Sequence, residues 1–80
     1  MTINDAVATR IMQLLKEKNM TQYRLEKKSY IAHGAMNNIL TGSNKTVTLT
    51  TVYRLANGFD MDIYEFLDHD VFRSKYLEIE

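Results

Sequence analysis

The sequence predicts an all-α fold of five helices in one small domain, with a helix-turn-helix at helices 2 and 3 and a short C-terminal extension. Three observations predict it. Apolar residues recur in successive segments with the i, i+3, i+4, i+7 spacing of a single buried helical stripe. Residues suited to helix caps stand at the edges of those segments. Between Thr21 and Gly42 two short helical patterns lie end to end with only about three residues between them, the outline of a helix-turn-helix.

Helix 1 is expected to open at Asn4 or Asp5 and to bury Val7, Ile11, Leu14 and Leu15 as one stripe. Lys16 and Lys18 then sit favourably at its C-terminal end, Asn19 suits the left-handed residue that stops it, and Met20 is the apolar residue that staples the next helix. Thr21 caps helix 2, about residues 22 to 29, whose only strongly apolar interior residue is Leu25, so tertiary packing must hold it. Helix 3 runs from about Ala32 to Gly42, with Met36, Ile39 and Leu40 toward the core and His33, Gly34, Asn37, Asn38 and Thr41 on a contiguous small or amide-bearing face. After a polar loop over residues 43–47, Thr48 caps helix 4, for which Leu49, Val52, Tyr53 and Ala56 give the stripe and Gly58 the end. Phe59 and Met61 cross back over the core. Asp62 and Glu65 resemble a capping box opening helix 5, with Ile63, Phe66 and Leu67 inward. Beyond Phe72, Leu77 and Ile79 alternate with Glu78 and Glu80 in a strand-like pattern too short to be stable alone, either a frayed tail or a partner-binding strand. Residues 1–72 thus form the helical domain and residues 73–80 a tail, a candidate dimerisation segment.

Eighty residues, 45% of them hydrophobic, bury only part of the unfolded surface, so a domain of this size is marginal unless it pairs. With no cysteine, the core depends on packing without disulfides or thiolate metal sites. No apolar run approaches the roughly 20 residues of a membrane span, and the N-terminus lacks the form of a signal peptide, so a soluble, cytoplasmic protein is expected. The net charge of zero conceals a segregation. Residues 1–59 carry eight basic and three acidic side chains, an excess of +5, whereas residues 60–80 carry two basic and seven acidic ones, an excess of −5. Screening over a Debye length of about 8 to 10 Å means that a polyanion at the basic end feels mostly the local field.

Thr21-Gln22 opening a short helix, Leu25 inside it, Ile31 after the turn, Met36 and Ile39 in the next helix and Gly42 closing it resemble the Xre/Cro-type helix-turn-helix family of phage-repressor-like regulators. Thr48-Leu49, Leu55-Ala56-Asn57-Gly58 and the run Asp62 to Leu67 extend the resemblance over about residues 7 to 68. It implies a lambda-repressor-like five-helix domain that binds operator DNA, often as a homodimer, with helix 3 in the major groove. Three residues depart from the family pattern. Glu26 stands where a small residue is usual, and its carboxylate is expected to reach solvent because burying a charge is costly. Tyr30 stands where glycine is usual, a left-handed tyrosine costs on the order of 1 kcal/mol, and a reshaped turn is expected. Val47 replaces a common proline but leaves the cap at Thr48 intact.

The resemblance and the exposed face together define candidate roles. His33, Gly34, Asn37 and Asn38 are candidates for reading bases: asparagine pairs bidentately with adenine, histidine donates to guanine or phosphate, and glycine lets the backbone approach. Gln22, which the family uses at a helix N-terminus to hold a phosphate, leads the phosphate candidates, with Thr21, Lys27, Lys28, Thr41, Asn44, Lys45 and Thr46 around it. The expected function is a sequence-specific regulator of transcription, a repressor acting as a homodimer on double-stranded DNA, without cofactor, metal, membrane or small-molecule partner. The alternative is a protein-interaction module of the same fold, such as the antitoxin of a toxin–antitoxin pair, gripping a basic partner with its acidic end. Enzymatic chemistry is not expected. Asp68, His69 and Asp70 are adjacent, and neighbours on a helix point about 100° apart and do not converge on one ion.

Overall fold

A computed structural model describes residues 1–43 and 46–79. Its elements are α1 (Ile3–Glu17), α2 (Gln22–Ser29), α3 (His33–Thr41), α4 (Leu49–Gly58) and α5 (Ile63–Leu67), followed by two 3-10 turns at Asp70–Phe72 and Ser74–Tyr76. The fold is all-helical, and no strand occurs among the described residues.

The caps follow local chemistry, with one correction. Helix α1 opens on Thr2 rather than on Asn4 or Asp5: the Thr2 hydroxyl accepts from the Asp5 amide at 3.1 Å, and the Asp5 carboxylate accepts from the Thr2 amide at 3.1 Å. The apolar stripe begins only at Val7, so periodicity alone does not register a polar first turn. At the other end Asn19 is left-handed at φ 52°, and the Met20 amide reaches back to the Leu15 carbonyl at 2.8 Å. Thr21 and Thr48 cap α2 and α4, each hydroxyl accepting at 3.1 Å from the amide three residues on. Gly42, at φ 78°, closes α3 in the left-handed region that glycine enters without strain. For α5, the Asp62 amide donates to Glu65 Oε1 at 3.3 Å.

The core joins Val7, Ile11, Leu14 and Leu15 of α1 to Leu25 of α2, Met36 and Ile39 of α3, and Val52, Leu55 and Ala56 of α4, with Ile31, Phe59 and Phe66 completing it. The α4 stripe differs from expectation. Leu55 is fully buried, whereas Leu49 is 70% exposed and Tyr53 also faces solvent. Leu67, expected inward, is exposed, and Phe66 alone anchors α5 deeply, its ring centroid 6.4 Å from that of Phe59 and 6.1 Å from that of Phe72. Helix α2 packs against α4, and α1 packs against α3, so the two halves of the helix-turn-helix rest on different supports.

Residues 77–79 form no strand. The Glu78 amide donates to the Met1 carbonyl at 2.9 Å, and its side chain pairs with the N-terminal ammonium at 2.6 Å, so the tail closes back on the start of α1. A run this short supplies too few ladder bonds for a strand pair. His69 and Asp70 hold the segment after α5: His69 Nδ1 accepts from the Val71 amide at 3.1 Å, and Asp70 pairs with Arg73 at 3.1 Å.

Candidate nucleic-acid interface

The turn between α2 and α3 is left-handed at Tyr30, φ 58° and ψ 37°. It is not reshaped: the tyrosine takes the conformation that glycine adopts freely, at a cost on the order of 1 kcal/mol. Buried Ile31 and Leu25 on either side hold the chain there. Ser29, also buried, donates from Oγ to the Leu25 carbonyl at 2.6 Å, which secures the last turn of α2.

Met36 and Ile39 fix the roll of α3 by burying one side, which leaves His33, Gly34, Asn37, Asn38 and Thr41 exposed. The four candidate base readers therefore share one accessible helix face. A Cβ added at Gly34 would meet nothing within 4 Å, so open space lies over the first turn of α3. Thr41 donates to the Asn37 carbonyl at 2.8 Å and lies 3.0 Å from the Ser43 hydroxyl.

Gln22 lies at the first position of α2, and its Nε2 donates to Glu26 Oε2 at 2.8 Å and across to Asn37 Oδ1 at 3.1 Å. Glu26 Oε2 also meets His33 Nδ1 at 2.8 Å. Contrary to the expectation that its carboxylate reaches solvent, Glu26 is only 8% exposed, while its partner His33 is 70% exposed. Donors from two helices compensate the charge, which removes the reason for it to turn outward. The Gln22 amide and then the His33 ring hold the Glu26 carboxyl below the ordinary carboxylate range, against the opposing effect of burial. Sequence reasoning missed Glu26 as part of the site. The available signal was its spacing four residues after Gln22, which places both on one face of α2.

The remaining candidates have mixed surroundings. Lys27 lies over the Tyr23 ring at 5.2 Å from its centroid, and both side chains are exposed. Lys28 pairs with Asp60, which draws it toward the end of α4. Thr21 and Thr46 are exposed, the Thr21 hydroxyl being occupied as a cap. Asn44 and Lys45 lie outside the described residues.

The Glu26 linkage has a definite sign. A carboxyl with a depressed folded-state pKa contributes stability above the ordinary carboxylate range and loses it as pH falls through the folded value. Urea midpoints measured against pH should therefore show a smaller acid-side loss in Glu26→Gln than in the wild type. Asp5 and Asp60, lowered by the Thr2 amide and by Lys28 respectively, keep part of the slope in both proteins.

A short capped helix leading through a tight turn into a second helix with an exposed polar face, on a five-helix support, defines a helix-turn-helix protein. The family model for the Cro/C1-type HTH DNA-binding domain matches residues 10–71, from within α1 to the first 3-10 turn, and the chain belongs to that family. No curated protein and no solved structure gives a significant match. The chain thus carries a DNA-binding domain. No helix among the described residues is long and apolar enough to cross a membrane.

Proposed function

We propose that the protein is a sequence-specific regulator of transcription, acting as a repressor, that places α3 in the major groove of operator DNA. The observation that carries this reading is the exposed face of His33, Gly34, Asn37 and Asn38 on a helix whose opposite side is locked by Met36 and Ile39. The helix cannot roll without exposing those two side chains, so its polar face is held ready for base edges. Thr21, Lys27, Lys28, Thr41, Asn44, Lys45 and Thr46 are assigned to phosphates, and so is Gln22 through its backbone amide at the start of α2, since its side-chain donors are engaged by Glu26 and Asn37; such contacts set position rather than sequence. Residues 1–72 form the DNA-binding unit. The protein acts as a homodimer, with residues 73–80 as the pairing segment: Ile79 and Tyr76 leave apolar surface exposed, and Tyr76 and Met1 line one hollow.

Selection from random duplexes at moderate salt tests this reading. Recovered sites should be palindromic, with half-sites about one helical turn or roughly 34 Å apart, and affinity should fall steeply with salt. Asn38→Ala should weaken binding to the recovered site about tenfold and barely alter binding to random DNA. Recovery of no preferred sequence would remove the regulator reading.

A further inference from the structure

The polar network beneath the reading face has its hydrogen-bond directions dictated from one end. An ionised carboxylate only accepts, so both groups that meet Glu26 Oε2 must donate to it. For Gln22 this fixes the amide: Nε2 faces Glu26 and, with its second hydrogen, Asn37. The atom of Asn37 facing Gln22 must then be Oδ1, which turns the donating Nδ2 away from Gln22. For His33 it fixes the proton on Nδ1, so the neutral ring offers Nε2 as an acceptor. Tyr23, Lys27 and Tyr30 line the same hollow as His33 and Glu26, and Glu26 is the only carboxylate among them.

We propose that Glu26 is a positioning residue for base recognition: from its buried place on α2 it sets the tautomer of His33 and, through Gln22, the amide orientation of Asn37. Its consequence at DNA rests on the major-groove reading above. A neutral His33 accepting at Nε2 matches a base that presents a donor in the groove, adenine N6 or cytosine N4, rather than guanine, which presents only acceptors there. The opposite tautomer would donate and would favour guanine. One carboxylate that touches no base thereby biases whether an amino-bearing base, adenine or cytosine, or guanine stands on the strand that the ring reaches.

The tautomer is a property of the free protein and is measured without DNA, by nitrogen-15 NMR of the imidazoles about two units above the ordinary histidine pKa of about 6.5. In the wild type, the protonated ring nitrogen of His33 should be Nδ1. His69 is the internal control with the opposite assignment, since its Nδ1 accepts from the Val71 amide and its proton must lie on Nε2. In Glu26→Ala, His33 should change to the Nε2–H form while His69 stays as it is. A wild-type His33 protonated on Nε2, or a ring unaffected by the substitution, would overturn the proposal, and the wild-type measurement decides it even where the variant folds poorly. Selection from random duplexes then compares the two proteins at that same pH. The wild type should prefer adenine or cytosine at one position per half-site, and Glu26→Ala should lose that preference by on the order of tenfold. An unchanged preference overturns the role in specificity. No preferred sequence with either protein overturns the major-groove reading, a different failure from that of the ring measurement.

Discussion

Arg10→Ala should destabilise the domain by about 3 kcal/mol, the loss of a buried guanidinium that makes three charge-assisted hydrogen bonds, one to Gln13 Oε1 at 2.6 Å on its own helix and two across to α5. Arg10 is 7% exposed, and it donates from Nε to the Phe66 carbonyl at 2.7 Å and from Nη2 to the Glu65 carbonyl at 2.9 Å. Those oxygens belong to the end of α5, where carbonyls lack partners within the helix. Only five residues long, α5 cannot persist by propensity and depends on Phe66 packing and this clamp. The guanidinium also lies 5.9 Å from the centroid of the Phe66 ring, so the substitution removes packing as well as charge. A domain of 80 residues has a total stability of about 4 to 12 kcal/mol, which makes such a loss a large fraction. Urea unfolding followed by circular dichroism measures it. Arg10→Lys should recover less than half, because an ammonium does not span two carbonyls as a fork does. A midpoint unchanged by Arg10→Ala would show that α5 is held by Phe66 alone.

Arg10 also shows where charge counting loses resolution. It contributes to the basic excess of residues 1–59, yet its side chain serves the interior; Lys28 in the same tally is paired with Asp60. Charge in sequence fixes a field but not the direction of a side chain. The stripe on α4 was ambiguous for a related reason. Leu49, Val52, Tyr53 and Ala56 have the same spacing as Val52, Leu55, Ala56 and Phe59, and the two sets share Val52 and Ala56. Periodicity gives the helix without its phase. The core selects the second set because the fully buried Phe59 lies just beyond the helix end.

Apart from that of α1, caps were legible because each depends on chemistry within about four residues. Thr21, Thr48, Asn19 and Gly42 all stand where local reasoning placed them. The exposed face of α3 was legible too, since burial of Met36 and Ile39 leaves few choices for the rest. Glu26 was not legible. Its burial depends on His33, seven positions away on the next helix, and that proximity exists only once the turn at Tyr30 has closed. The alternation of Leu77 and Ile79 reports a period but not a pairing partner, and within the chain the Glu78 amide bonds to the Met1 carbonyl instead of to a strand.

Gly58→Ala should cost about 1 to 3 kcal/mol and should weaken DNA binding by the remaining folded protein as well. A Cβ at this position would lie 2.7 Å from Leu25 Cδ1 and 3.0 Å from Ser29 Cβ. Leu25 is fully buried, and Ser29 is held by its bond to the Leu25 carbonyl, so relief requires α2 to move away from α4. The modest gain from alanine over glycine in a helix, up to about 1 kcal/mol, is smaller than this strain and is reduced further at the last helical position. Because α2 carries Gln22 and Glu26, its displacement reaches Asn37 and His33 through their hydrogen bonds. Gly34→Ala is the counterpart. With nothing within 4 Å of the added methyl group, it should raise stability by up to about 0.5 kcal/mol, less than in a helix interior because Gly34 is in the first turn of α3. If α3 enters the groove by this face, the same methyl group obstructs the approach of DNA, so the more stable protein binds more weakly. Thermal unfolding and a binding titration on both variants separate the cases: loss of stability and binding together marks a residue that sets the helix angle, and opposite changes mark one that faces the groove.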